Sequence, residues 1–273
     1  MVNGYQAASL EEALAILGRE STVIPYGGGT DLMIEADDSA TYLFLSKVPE
    51  LKTITEDRGC IRLGAACTFT EIIESGLVPS LLKEAVSQIA APAIRNLGTI
   101  GGNICNGSPK ADSALIFMAA DAKLRLGSTR GERVMPISEF YLGRKKTALA
   151  ADELLVEILM NKNGLDNYYY KKVGARDALA ISRVSFAGIL NVFAGKIASC
   201  RTAFGAVSDV IIRRANIDAM LAGKTLAEAR ALKPAYLAAY DQAIVPIRGR
   251  ISAEYRKAVC MNLLQDFLAS KGV

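Results

Sequence analysis

Gly98-Thr99-Ile100-Gly101-Gly102-Asn103-Ile104-Cys105-Asn106-Gly107-Ser108-Pro109 is the stretch on which the reading of this chain turns, together with Gly27-Gly28-Gly29-Thr30-Asp31-Leu32 upstream. Consecutive glycines permit positive φ and let backbone N–H groups approach a ligand with no Cβ in the way. Such a nest suits a pyrophosphate; Thr30 and Thr99 add hydroxyls, and Asn103 and Asn106 add amides. Three glycines after a strand also serve as an ordinary turn, so the first stretch does not decide by itself. Asp112 follows at a helix start, where its carboxylate either caps the helix or accepts from sugar hydroxyls. Neither turn is a common nucleotide fingerprint. Counting G-x-G-x-x-G from Gly27 puts Leu32 where the third glycine belongs. Gly102-x-x-x-x-Gly107 runs into Ser108-Pro109 instead of Lys-Ser/Thr, so it is no P-loop. A two-turn cradle for a dinucleotide is what remains.

Composition narrows the chemistry. The 273 residues, 51% apolar and 22% charged, suffice for one large domain or two to three small ones. No apolar run is long enough to cross a bilayer. The opening Met1-Val2-Asn3-Gly4-Tyr5 lacks the pattern of a signal peptide, which predicts a cytoplasmic protein away from membranes. The net charge is only +4, and Arg144-Lys145-Lys146 and Arg213-Arg214 read as solvated surface, so nucleic acid is set aside. The five cysteines, at 60, 67, 105, 200 and 260, form no Cys-x-x-Cys and suggest neither a disulfide framework nor a metal site on this chain. The chain has no histidine. That removes Ser-His-Asp and Cys-His triads, His-based zinc catalysis and His-ligated haem. Redox chemistry by an organic cofactor stays open.

Organisation follows from periodicity and punctuation. Ser9 predicts a helix cap, with Glu12 completing a capping box over Leu10, Ala13, Leu14 and Leu17. Thr22 to Tyr26 and Tyr42 to Leu45 read as strands, and Asp31 to Ala36 as the start of a helix. A hairpin is expected with strands at Leu51 to Thr55 and Cys60 to Ala65 around Glu56-Asp57-Arg58-Gly59. Thr68 and Glu71 form a second capping box, and a helix from Ser80 to Ala90 is stopped by Pro92. Ala93 to Lys110 shows no clean period, and Asp112 to Ala120 is helical again. Strands are expected at Lys123–Leu126, Arg133–Pro136, Leu154–Met160, Tyr168–Val173, Ser182–Phe193 and Ile197–Phe204, with Ala194-Gly195-Lys196 as a turn. The last helix runs from about Ser252 to Ala269. Three units result: 1–56, 57–164 and 165–273.

The paired motifs resemble the FAD-binding medium subunit of molybdenum hydroxylases, the xanthine dehydrogenase and carbon monoxide dehydrogenase types. The likeness rests on Gly28-Gly29-Thr30-Asp31 and Thr99-Ile100-Gly101-Gly102-Asn103-Ile104, with Ile94-Arg95-Asn96 before and Asn106 to Ala114 after. It continues at Lys172 to Asp177 and Ser252 to Arg256, so it spans nearly the whole chain. Asn103 to Gly107 and Arg176-Asp177-Ala178 look most like bacterial xanthine dehydrogenase subunits. The resemblance implies an α+β fold: a two-part FAD-binding domain of the vanillyl-alcohol-oxidase (PCMH) type, then a C-terminal α+β domain like that of the carbon monoxide dehydrogenase flavoprotein. It implies that Ile24, Pro25, Tyr26, Gly27, Gly28, Gly29, Thr30 and Asp31, with Thr99, Ile100, Gly101, Gly102 and Asn103, wrap the pyrophosphate and ribityl chain. Asn106 and Asp112 would bind the ribityl and sugar region. Leu154 and Leu155 would pack near the adenine or flavin edge, or are simply core strand. Lys172 would lie near the isoalloxazine and stabilise negative charge on reduced flavin, or form a salt bridge.

On that resemblance the chain carries no substrate-hydroxylating residue of its own. Electrons from a molybdenum-cofactor large subunit would pass through a [2Fe–2S] small subunit to this FAD and on to NAD⁺, with a purine, xanthine, as the expected substrate. Ala180, where relatives often carry Asp, and Val207-Ser208-Asp209-Val210, where a proline-bearing stretch is usual, depart from the pattern. Two other readings stay open: a standalone FAD-dependent oxidoreductase of the same fold, and a scaffold whose glycine turns are purely structural.

Overall fold

The computed structural model describes residues 3–20, 22–249 and 251–273. In chain order it has β1 (Asn3–Gln6), α1 (Leu10–Arg19), β2 (Ile24–Tyr26), β3 (Thr41–Phe44), β4 (Ile54–Asp57) and β5 (Cys60–Gly64). Five helices follow: α2 (Phe69–Glu74), α3 (Ser80–Ser87), α4 (Pro92–Arg95), α5 (Ile100–Cys105) and α6 (Asp112–Ala119). Then come β6 (Lys123–Ser128), β7 (Gly131–Pro136), β8 (Tyr141–Gly143), β9 (Lys146–Thr147) and β10 (Leu154–Asn161). The remainder is β11 (Tyr168–Val173), β12 (Val184–Phe193), β13 (Lys196–Gly205), β14 (Ile212–Arg213), α7 (Ala215–Asp218), α8 (Leu226–Ala243) and α9 (Ala253–Ser270). Contacts group the chain into two units. One holds the residues up to Val78, Ile89–Gly107 and Asp121–Lys162; the other holds Pro79–Gln88, Ser108–Ala120 and the chain from Asn163 onward.

In the first unit a parallel three-stranded sheet, β1-β3-β2, leaves β2 at an edge, which is why Pro25 is tolerated there. Its buried face meets Ala13, Ile16 and Leu17 of α1. A second sheet, β4-β5-β10-β6-β7, is antiparallel throughout. β10 inserts between β5 and β6 and bulges between Leu155 and Glu157. Glu157, 5% exposed, is offset by the guanidiniums of Arg62 and Arg125.

The second unit is built on the antiparallel sheet β11-β12-β13-β14. Side chains alternate across it. Val184, Phe186 and Leu190 of β12 and Phe204 of β13 meet α8 and α9 through Tyr236, Tyr240, Leu264 and Phe267. Gly188 lets Phe267 lie against the strand, since a Cβ there would sit 2.7 Å from the ring. α3 and α6 pack on β11, β12 and β13, and every residue of α6 is buried. A helix apolar all round belongs inside a core.

Several sequence expectations hold in detail. Ser9 accepts from Glu12 N at 3.1 Å, Thr68 and Glu71 form a complete capping box, and Ser252 caps α9. Ala194 and Gly195 take φ values of 49° and 75°, the turn a two-residue hairpin loop needs. Others are corrected. Glu12 turns its carboxylate to Ala8 N and not to the cap residue. The first hairpin strand begins at Ile54, because Pro49–Lys52 is a 3-10 turn, and its loop is only Arg58-Gly59. Residues 32–35 form a 3-10 turn and no longer helix. α3 ends at Ser87, and Pro92 opens α4 instead of stopping α3, since proline is accommodated at the first helical position. The unpatterned stretch 93–110 contains α5, whose glycines hid it.

Candidate functional site

The two glycine turns meet in the first unit, and their donors are used differently. At the second, Ile100 N donates to Cys67 O at 2.9 Å and Gly101 N to Ala65 O at 2.8 Å. Gly102 N donates to Thr99 Oγ1 at 3.1 Å and Asn103 N to Thr99 O at 3.0 Å. The N–H groups that open α5 are therefore engaged by protein. At the first turn, among the described residues, Gly28, Gly29 and Thr30 donate no backbone hydrogen bond. Three consecutive N–H groups without a protein acceptor suit the oxygens of a pyrophosphate. The residues present thus fit the phosphate part of a dinucleotide, with the first turn as its donor.

Most of the glycines answer a packing demand more than ligand access. A Cβ on Gly28 would lie 1.8 Å from Leu97 O, one on Gly27 2.6 Å from Thr99 Oγ1, and one on Gly101 2.6 Å from Ala65. Gly29 has φ +70°, and its Cβ would lie 1.9 Å from Tyr26 Oη. The turns are pressed together, backbone on backbone. Gly102 differs: it is exposed, and its Cβ would meet only Thr99 Oγ1, at 2.9 Å.

The other expected residues of this unit spread around the cradle. Ile24 is half-buried and Pro25 exposed; Tyr26 packs against Tyr42 and Phe44, with ring centroids 6.0 and 4.9 Å away. Asp31 is exposed at the head of the 3-10 turn and caps nothing. Asn103 and Asn106 are half-buried, Asn106 closing α5. Ile100 is fully buried beneath them. Leu154 belongs to the core around α1 and β3, and Leu155 beside it is 5% exposed.

Asp112 and Lys172 come together in the second unit. Lys172 Nζ donates to Asp112 Oδ2 at 2.7 Å and to Gln88 O at 2.9 Å. Ser182 Oγ donates to Asp112 Oδ1 at 2.6 Å. Asp112 is the first residue of α6, not its cap; Ala111 holds that place. Its carboxyl is held above the ordinary value because burial outweighs the pull of Lys172 and Ser182. The pair, both side chains under 10% exposed, is a buried ion pair and not a surface one. Beside it opens a cavity of about 520 Å³ whose walls include Glu84, Gln88, Tyr170, Lys172, Gly174 and Arg176. Ser182, Gln88 and Tyr170 had not been singled out from sequence. The available signal was the alternation of Tyr168, Tyr170 and Lys172, three polar groups on the face of β11 that packs against helices.

Comparison with known proteins divides the chain between residues 160 and 168, with α3 and α6 counted in its first part. A family model described as the FAD binding domain in molybdopterin dehydrogenase matches residues 1–160. A second, the CO dehydrogenase flavoprotein C-terminal domain, matches residues 168–270. The xanthine dehydrogenase FAD-binding subunit of Escherichia coli O157:H7 is 36% identical over 221 residues, 77% of this chain and 75% of the relative. The nicotinate dehydrogenase FAD-subunit of Eubacterium barkeri is 35% identical over 193 residues, covering 65% and 64%. The solved structure of carbon monoxide dehydrogenase from Hydrogenophaga pseudoflava that lacks the Mo-pyranopterin moiety of the molybdenum cofactor superposes with a TM-score of 0.89. Its identity is 27%, over 97% of this chain and 95% of that one. Among the described residues no helix is long and apolar enough to cross a membrane, and no group of three or more acidic, Cys or His side chains is placed to hold a metal.

Proposed function

The chain belongs to the FAD-binding family of the molybdopterin dehydrogenases and is the FAD subunit of a molybdenum hydroxylase, and from that premise we propose that it carries electrons from a [2Fe–2S] partner subunit through FAD to NAD⁺. The observation that supports this most directly is the first turn, with three unspent N–H groups on a backbone braced by the second. FAD, once bound, supplies the redox chemistry, taking up electrons singly and releasing two as a hydride. The chain's own part is to bind and orient it. Gly27 to Asp31 would hold the pyrophosphate, with Ile24, Pro25 and Tyr26 leading into the turn. Thr99, Ile100, Gly101, Gly102 and Asn103 would brace that turn and line the ribityl chain. Asn106 and Asp112 would serve the sugar and ribityl hydroxyls. Leu154 and Leu155 would give an apolar edge, and Lys172 would stand by the isoalloxazine.

In this reading the partners are a molybdenum-cofactor large subunit and a [2Fe–2S] small subunit, the substrate of the complex is a purine such as xanthine, and the site of action is the cytoplasm. Along the sequence we place the domain boundaries at 1–56, 57–164 and 165–273. α3 and α6, from the middle part, pack on the C-terminal sheet. Purifying the native chain, recording its visible absorption and identifying the released cofactor tests the proposal. One FAD per chain, with molybdenum and iron in the co-purifying subunits and reduction of the flavin by NADH, is expected. A folded, colourless chain that refuses added FAD would refute it.

A further inference from the structure

Ser182 is buried in a loop that mostly faces water. It is 2% exposed, while Ile181 before it is 73% exposed and Arg183 after it is exposed. An apolar side chain turned out and a hydroxyl turned in reverse the usual preference. The hydroxyl makes one contact, donating to Asp112 Oδ1 at 2.6 Å. The loop, residues 174–183, joins β11 to β12, and its residues 174–177 and Ala180 wall the cavity beside Lys172. Arg183 N closes the base of the loop on Val173 O at 2.8 Å.

Asp112 depends on that donation. Among the described residues its carboxylate accepts from two side chains only, Lys172 on Oδ2 and Ser182 on Oδ1. Lys172 Nζ in turn spends two of its three N–H groups, on Asp112 and on Gln88 O. The third has no acceptor among the described residues, and Lys172 stands in the cavity wall. All of these groups belong to the second unit. We propose that Ser182 is a positioning residue: by fixing the carboxylate of Asp112 it fixes the ammonium of Lys172, with one N–H kept for an electron-rich group in the cavity. The inference rests on the reading that sets Lys172 by the flavin. A carboxylate that loses one of two donors is free to swing and takes up a proton more readily. Burial already lifts Asp112 against the pull of Lys172 and Ser182. Around the pair, Glu84 of α3, Tyr170 and Lys171 of β11, and Arg176 and Asp177 of the loop line the same cavity. β12 has no charged residue, and Arg201 of β13 turns to Gly164 O.

The test begins with urea unfolding of the flavin-free full chain across pH, as wild type, Ser182→Ala, Asp112→Asn and the double variant. A hydrogen bond to an ionised carboxylate is worth more than one to its neutral form. Ser182→Ala should therefore raise the unfolding equilibrium constant on the order of tenfold at neutral pH, and by less in acid, where Asp112 is protonated. In the Asp112→Asn background the loss should be smaller and the same at every pH. Ser182→Thr, which keeps the hydroxyl, should restore the shape of the wild-type profile. With FAD bound, the flavin midpoint potential at neutral pH should rise in Ser182→Ala and return in Ser182→Thr. The sign follows because a protonated Asp112 leaves the Lys172 charge uncompensated, which favours the more negative, reduced flavin. A loss in Ser182→Ala that is the same at every pH overturns the proposal, and so does an unchanged potential. A wild-type chain that takes up no FAD overturns the flavin reading and the role of Ser182 toward it, while the flavin-free profile still reads its hold on the pair.

Discussion

Gly28→Ala tests whether the cradle is made by two turns pressed together. The new Cβ would lie 1.8 Å from Leu97 O, roughly 1.5 Å short of the ~3.3 Å at which carbon and a carbonyl oxygen ordinarily meet. Leu97 C at 2.5 Å and Gly98 Cα at 3.0 Å close the other directions, and all three are backbone atoms with no rotamer to change. The neighbouring backbone is itself tied down, with Gly98 N bonded to Ile94 O at 2.7 Å and Phe69 N to Gly98 O at 3.0 Å. Overpacking of this kind costs about 1–3 kcal/mol. In a chain of this size that lowers the unfolding midpoint of the flavin-free protein by about 2–12 °C. If the strain is relieved by lifting the first turn, and FAD needs the turn seated, the same free energy weakens FAD by about five- to 150-fold. Gly76→Ala is the control, because a Cβ there meets nothing within 4 Å. Thermal unfolding without flavin and fluorescence titration with FAD read the two effects. A Gly28→Ala chain matching wild type in both would refute the packing argument, whatever the cofactor.

Removing a partner from the buried pair should be severe. Asp112→Asn leaves Lys172 without its counter-charge and should cost about 3–5 kcal/mol in urea unfolding. The pH dependence has a definite sign. Burial holds the folded carboxyls of Asp112 and Asp218 above the ordinary 3.8, so from that pH upward the unfolded chain releases its proton first. Stability from these two groups is therefore greatest in acid and declines as pH rises through their folded values, and Asp112→Asn should flatten that slope. Asp218 accepts from Thr202 N, Thr202 Oγ1, Tyr236 Oη, Tyr240 Oη and the Arg213 guanidinium. Asp218→Ala should cost at least about 3 kcal/mol by equilibrium unfolding, since those donors lose their acceptor together. Thr225→Ala, which removes the capping hydroxyl of α8, should cost only about 1 kcal/mol in the same assay.

The Gly27–Thr30 turn, the caps at Ser9, Thr68 and Ser252, and the tight turn at Ala194-Gly195 were legible in the residues because each depends on chemistry a few positions away. A cap needs a hydroxyl and an N–H three residues on, and a tight hairpin needs positive φ; both leave a local signature. Two things were not legible. α5 has two glycines in six residues, so propensity speaks against it, yet Cys67 O, Ala65 O and Thr99 hold its first N–H groups in place. Pro92 looked like the end of a helix and is the start of another, since a proline reads alike on either side of a boundary.

The chain's residues by themselves ruled out histidine chemistry and offered two glycine-rich stretches suited to a dinucleotide, because glycine spacing and composition are properties of the string itself. Tertiary structure alone decided which turn keeps free donors and why the glycines are needed. The atoms that make those demands, Leu97 O, Ala65 and Thr99 Oγ1, are brought in by other segments. It also decided that Asp112 and Lys172, 60 residues apart, neutralise each other inside a core. A buried charge needs a partner in space, and only the packing of β11 against α3 and α6 chooses which one.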